Sequence, residues 1–240
     1  MESASRIAAT LPRSPASFGD TPRVLTGLLA AAEKRCLVWM AHRMPVWVTA
    51  DHLTALGALA MLMAGLSYLL ARWHPAGLVL AIFWLAVNWF GDSLDGTLAR
   101  VRNHLRPRYG FYVDHVVDAI GQFFLVGGMA LSGYMHPYVG LALLIVFFML
   151  SIEAYLATHA RGRFRMSFWG FGPTELRVII AIGNVRLLFD PTATLFGRQF
   201  LLFDVGAVIA IAGMAATLVV AVVRNTRALY LEEPLPRCVR

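Results

Sequence analysis

The chain has 240 residues, of which 58% are hydrophobic and 15% charged, whereas a soluble domain carries about 25% charged residues. That balance excludes an ordinary soluble enzyme. The net charge of +7 is distributed as a membrane protein distributes it, so nucleic-acid binding is excluded as well, and two cysteines, Cys36 and Cys238, make neither a metal cluster nor a disulfide framework.

In chain order, residues 1–23 (MESASRIAATLPRSPASFGDTPR) lack the apolar run of a secretory signal and read as a flexible tail. Residues 24–44 mix apolar side chains with Glu33, Lys34, Arg35 and Arg43, the pattern of an amphipathic helix lying in the membrane interface, with an ordinary surface helix as the alternative. Asp51 is placed to cap the first of six expected spans: Leu53–Ala71, Ala76–Arg100, Phe111–Gly133, Tyr138–Ala160, Glu175–Phe189 and Phe203–Val223. Arg177, Asn184 and Arg186 interrupt the fifth. Gly57, Gly65, Gly127, Gly128, Gly206 and Gly213 are expected to let helices approach closely. Residues 45–224 then form one six-helix transmembrane catalytic domain and residues 225–240 a cytoplasmic tail. The expected fold is an all-α integral membrane protein without an internal repeat or second domain.

With the N-terminus inside, 18 of the 21 basic residues fall on the inner side; only Arg72, Arg186 and Arg198 do not. The bias supports a cytoplasmic N-terminus.

Two stretches carry the chemistry. DSLDGTLAR, residues 92–100, closes the second span, and YGFYVDHVVDAIG, residues 109–121, opens the third. An Asp at a membrane helix centre costs about 2.5–3.5 kcal/mol, so a bare pair is unexpected. At about 100° per residue, Asp92, Asp95, Gly96 and Ala99 share one stripe, and Gly110, Asp114, Asp118 and Gly121 fall within an arc of about 80°. Two helices joined by an Arg-rich loop thus present two carboxylates each. Burial and mutual repulsion would raise the pKa values of four such groups. Two divalent cations would cancel their charge, all-oxygen ligation suits Mg²⁺ or Mn²⁺, and such a pair would clamp a diphosphate. Gly96, Gly110 and Ala99 leave room for it.

The pattern Asp92-x-x-Asp95-Gly96-x-x-Ala99-Arg100, nine residues, then Gly110-x-x-x-Asp114-x-x-x-Asp118 resembles the signature of the CDP-alcohol phosphatidyltransferases, and every specified position matches. The resemblance implies that Asp92, Asp95 and Asp114 are metal ligands. Asp118 would be the general base toward the acceptor hydroxyl and also a ligand. Gly96, Ala99, Arg100 and Gly110 would line the CDP site. TADHLT, residues 49–54, is similar to a TPNxLT-like segment of the family, which places Asp51 and Thr54 near the nucleotide; Ala50 and Asp51 stand where Pro and Asn are usual, and helix capping is the alternative there. The implied reaction moves a phosphatidyl group from CDP-diacylglycerol to an alcohol and releases CMP, in a homodimer of a bacterial inner membrane with its active site toward the cytoplasm.

Arg161, Arg163 and Arg165 are candidate contacts for a phosphorylated acceptor, or a basic cluster touching anionic headgroups. GPTE, residues 172–175, loosely resembles a segment of amino-alcohol phosphotransferases, which use diacylglycerol as acceptor. There Glu175 with Phe168, Trp169 and Phe171 would hold a cationic group, or those rings form an interfacial belt. Glu153 either lines the acceptor pocket or pairs with an Arg of a neighbouring helix. His115 points about 100° from Asp114 and reads as a packing residue or as a contact behind the metal ligands, not as a ligand itself. Asp190 and Asp204 read as solvated or capping groups. A metal-ion or proton transporter would also tolerate intramembrane carboxylates, but leaves the Gly and Ala spacing unexplained; a purely structural bundle leaves four Asp without a reason.

Overall fold

The computed structural model describes residues 30–161 and 172–233. In chain order the elements are α1 (Ala30–Arg43), α2 (Ala50–Ala71), α3 (Ala76–Val101), α4 (Pro107–Leu131), α5 (Pro137–Arg161), α6 (Pro173–Leu187), β1 (Thr192–Leu195), β2 (Arg198–Leu201) and α7 (Leu202–Glu232). Among the described residues, four helices, α2, α3, α5 and α7, are long and apolar enough to cross a membrane.

Prolines set several of the helix starts. Pro107 and Pro173 occupy the first turns of α4 and α6, where a missing N–H costs nothing and the fixed φ is already helical. α2 is capped by Thr49 and not, as expected, by Asp51. The Thr49 hydroxyl accepts from the His52 N–H, and the His52 ring accepts from the Thr49 N–H. Helix begins at Ala50, three residues before the expected span start at Leu53, which leaves Asp51 in the first turn. α7 runs through Glu232, past the expected start of the tail at residue 225. RNTRALYLE holds no breaker, and Pro234 disfavours helical backbone at Glu233, where the helix ends with φ −123° and ψ 73°.

Between α6 and α7 the structure holds a short antiparallel hairpin that the residue pattern had not suggested, within an otherwise helical fold. Thr192 pairs with Leu201 and Leu195 with Arg198. The two-residue loop Phe196–Gly197 has positive φ at both positions, 51° and 76°, as a type I′ turn requires.

Glycine decides the central packing. A Cβ on Gly91 of α3 would stand 2.6 Å from the Leu53 carbonyl and 2.8 Å from the Gly57 nitrogen; on Gly65 of α2 it would stand 2.3 Å from the Phe124 carbonyl, and on Gly128 of α4, 2.3 Å from that of Gly65. α2 therefore lies backbone to backbone against α3 and α4. Gly127, Gly206 and Gly213 have open space instead, so the expectation of close approach holds for Gly57, Gly65 and Gly128 only. α6 lies against α3, and α5 packs on α4 and α7.

Two apolar clusters result. One joins Ala64, Tyr68, Leu78, Leu85, Leu125 and Phe203; the other seats Leu37 and Ala41 of α1 against Leu53, Leu94 and Leu98. Within the first, the Tyr68 hydroxyl donates to Asn184 Oδ1 at 2.9 Å, with both side chains fully buried. This explains Asn184 in a mostly apolar helix: its amide is satisfied, and the desolvation cost of a bare polar group is avoided. Arg102, just past α3, donates to the carbonyls of Met44, Pro45, Val46 and Val48. It ties down the connection between α1 and α2, whose carbonyls have no helical partners.

Candidate active site

The close α2–α3 and α2–α4 contacts bring the end of α3 beside the start of α4. Asp92, Asp114 and Asp118 each offer an oxygen, and these oxygens lie within 4.8 Å of one another. Asp92 and Asp114 are half-buried and Asp118 is exposed, so the group is held by protein on one side and open to a ligand on the other. Three converging carboxylate oxygens are a hard, anionic donor set that fits a divalent cation.

Asp95, the fourth acid of the pattern, lies outside this trio. Its Oδ2 accepts from the Thr54 hydroxyl at 2.6 Å, and its Oδ1 accepts from the Gly96 N–H. Thr54 therefore reaches the acidic group through Asp95. Asp51 does not; both its oxygens take Arg106 Nη2, at 2.5 and 2.6 Å, in an exposed pair. Those hydrogen bonds push the Arg106 guanidinium further up from its already high pKa.

Gly96 and Gly110 border open space: a Cβ at Gly96 would meet only Arg100 Nη2, at 3.8 Å, and one at Gly110 nothing within 4 Å. Ala99 is half-buried beside them, and Arg100 is exposed with Nη2 donating to Thr97 at 3.3 Å. His115 is buried, as packing requires, and its Nδ1 also lies 3.8 Å from Asp114 Oδ2, which fits both expected roles. Its Nδ1 lies 2.7 Å from the Phe111 carbonyl, and its ring packs on Phe111 and Tyr155.

The acceptor candidates are engaged elsewhere or not described. Glu153 accepts from Asn225 Nδ2 at 2.6 Å, and Asn225 Oδ1 accepts from Arg161 at 2.8 Å. Glu153 and Arg161 are thus bridged by an amide of α7 rather than paired directly, and Arg161 also lies 3.7 Å from Glu232. Arg163 and Arg165 lie outside the described residues, as do Phe168, Trp169 and Phe171. Glu175 accepts from the Gly172 N–H at 2.9 Å, the return half of a capping box. Asp190 and Asp204 are half-buried hydrogen-bond acceptors. Asp190 takes Thr192 and Arg186, and Asp204 takes the His136 N–H at 2.8 Å.

Two residues that sequence reasoning did not connect to the site are brought to it. Arg177 of α6 donates through Nη2 to Asp92 at 2.5 Å and through Nε to Asn88 at 2.8 Å, and Asn88 in turn donates to the Gly57 carbonyl at 3.0 Å. Glu33 of α1 accepts from Trp89 of α3, four residues before Ser93 and three before Asp92. The available signal was cost: an Arg inside an apolar span implies a counter-charge nearby.

The helix bundle thus gathers three carboxylates of the sequence pattern beside glycines that leave open space, and the class of protein this pattern belongs to is a transferase family. Residues 47–223 match the family model described as CDP-alcohol phosphatidyltransferase, and the chain belongs to that family. Among curated proteins it resembles the archaetidylinositol phosphate synthase of Pyrococcus horikoshii, 29% identical over 149 residues, which are 62% of this chain and 70% of that protein. Among solved structures it resembles the Mycobacterium tuberculosis phosphatidylinositol phosphate synthase PgsA1 with CDP-DAG bound. The TM-score is 0.55 at 20% identity, covering 82% of this chain and 94% of that one. At that identity the likeness is one of fold.

Proposed function

We propose that this protein transfers a phosphatidyl group from CDP-diacylglycerol to an alcohol and releases CMP, with Mg²⁺ or Mn²⁺, two ions, at the acidic site. The observation that carries this reading is the convergence of Asp92, Asp114 and Asp118 within 4.8 Å in a member of this family. Asp92, Asp95, Asp114 and Asp118 would hold the metal. When bound, divalent cations supply charge neutralisation on the diphosphate and on the departing CMP.

The chain's own residues do the rest. Asp118 accepts the proton of the acceptor hydroxyl. The freed oxygen attacks the β-phosphorus; the new P–O bond forms as the bond to CMP breaks, CMP leaves with that electron pair, and the proton remains on Asp118. Gly96, Ala99, Arg100 and Gly110 line the cytidine diphosphate, and the absence of bulk at Gly96 and Gly110 supports that role. Thr54 orients Asp95 by its hydrogen bond. Asp51, tied to Arg106, acts at most by keeping the inner loop near the nucleotide.

Both relatives are named as synthases of inositol phosphate lipids, which supports a phosphorylated inositol as acceptor, with Arg161, Arg163 and Arg165 of the sequence as candidate cations. We read α2 through α7 as the six spans, the four long apolar helices together with α4 and the shorter α6, α1 as an interfacial helix and the active site as cytoplasmic. The inner-side excess of basic residues supports this orientation, and the reading includes a bacterial inner membrane and a homodimer. In a test, purified protein in lipid nanodiscs receives Mg²⁺ or Mn²⁺ and CDP-diacylglycerol, with inositol phosphate, inositol, glycerol 3-phosphate or serine. CMP and the lipid product are measured. Metal-dependent CMP release with one acceptor is expected. Turnover of CDP-choline with diacylglycerol, and none of CDP-diacylglycerol, would assign the amino-alcohol reaction instead.

A further inference from the structure

Glu33 is the meeting point of three helices. Its Oε1 accepts from Trp89 Nε1 at 2.7 Å and from the Ser93 hydroxyl at 3.5 Å, both on α3, and from the Thr174 hydroxyl at 2.8 Å, on the first turn of α6. Trp89 and Ser93 flank the turn of α3 that carries Asp92, and Thr174 lies three residues before Arg177, on the same face of α6. The start of α6 is therefore fastened at three points: Thr174 to α1, Glu175 back to Gly172, and Arg177 to Asn88 and Asp92. Of the three, only the Glu33 contact joins α6 to an element outside the bundle of long helices. The Trp89 indole is a donor only, so without Glu33 both it and Thr174 lose the acceptor that ties α3 and α6 together through α1.

We propose that Glu33 is a positioning residue: by holding Trp89 and Thr174 together, it seats α6 so that Arg177 reaches Asp92 in the geometry that the carboxylate trio needs for metal. The path is a contiguous set of hydrogen bonds between packed helices, Glu33 to Thr174, one turn of α6, then Arg177 to Asp92. Because all three contacts converge on Oε1, the role requires an acceptor at that atom and no net charge. A glutamine, whose Oε1 is an amide carbonyl, preserves it; an alanine does not. The inference rests on the assignment of Asp92 as a metal ligand.

The test compares wild type, Glu33→Gln, Glu33→Ala and Thr174→Val in nanodiscs, with three readouts: Mn²⁺ binding by electron paramagnetic resonance, CMP-release kinetics, and hydrogen exchange of the Leu176–Val178 amides. In Glu33→Ala the Mn²⁺ dissociation constant is expected to rise about tenfold, as for residues that orient metal ligands. kcat should fall about tenfold with KM for CDP-diacylglycerol within about twofold, and exchange at the start of α6 should quicken about tenfold. Glu33→Gln is expected to match wild type within about twofold in all three. Thr174→Val, which keeps α1 intact, is expected to follow Glu33→Ala and carries the test if the alanine variant does not fold. Unchanged Mn²⁺ affinity and exchange in both disruptive variants would overturn the proposal, as would a glutamine variant as impaired as the alanine one. A wild-type protein that neither binds Mn²⁺ nor releases CMP would refute the functional reading instead, and exchange at α6 would still report whether Glu33 seats it.

Discussion

Arg177 and Asp92 form an ion pair 2.5 Å apart across α6 and α3, with side-chain exposures of 16% and 26%. The guanidinium orients one member of the acidic trio and balances part of its charge in a poorly solvated place. Arg177→Gln should destabilise the fold by about 1.5–3 kcal/mol, the usual worth of a hydrogen bond to a charged group. It should also lower CMP release at least tenfold. Wild-type melting temperature and turnover in this variant would show that the pair is dispensable.

Asp118 is the exposed member of the trio and so the one open to an incoming hydroxyl. Asp118→Asn keeps its shape and removes the proton acceptor. Turnover should drop by about 10²–10⁴-fold, the range of general-base catalysis, while CDP binding by calorimetry persists. A variant that turns over normally would remove Asp118 from the base role.

Gly65 and Gly127 are both helical glycines of the bundle but have opposite surroundings. A methyl at Gly65 meets the Phe124 backbone, which cannot yield as a side chain can, while one at Gly127 meets nothing. Gly65→Ala should cost about 1–3 kcal/mol through overpacking. Gly127→Ala should be neutral or gain about 0.5–1 kcal/mol from helix propensity. Thermal unfolding in one detergent measures both; equal destabilisation would mean the α2–α4 contact is looser than it looks.

Arg102 satisfies four carbonyls of the connection between α1 and α2. Arg102→Ala leaves them to water and should make the 44–48 segment several-fold more sensitive to limited proteolysis. Digestion at the wild-type rate would show that the apolar seat of Leu37 and Ala41 suffices.

Asp190 is held down to a pKa of about 2 by the Thr192 N–H, the Arg186 guanidinium and the Thr192 hydroxyl, in that order. The carboxyl is a weaker base in the folded hairpin than in the unfolded chain. Its contribution is therefore complete above about pH 4 and is lost as pH falls toward 2. Protection factors of the Thr192–Leu201 amides should be flat from neutral pH to about 4 and decline below it. A decline that starts near pH 6 would require another titrating group.

The chain's own order of residues carries the membrane class, the helix starts at Pro107 and Pro173, and the acids of the site, because these depend on local features: apolar runs of spanning length, a missing N–H at a helix start, carboxylates at three- and four-residue spacing. It also carries the family signature on α3 and α4. Tertiary structure alone decided which acids meet. Asp95 shares a stripe with Asp92, yet Thr54 takes its oxygen, and Arg177, far along the chain, reaches Asp92. The same holds for Glu33, whose partners lie on two other helices, and for the glycines. Gly65 and Gly127 are equivalent as residues, and only the position of a neighbouring backbone makes one a contact and the other a gap. Periodicity orients a side chain around its own helix; which helix stands opposite is a property of the packed bundle.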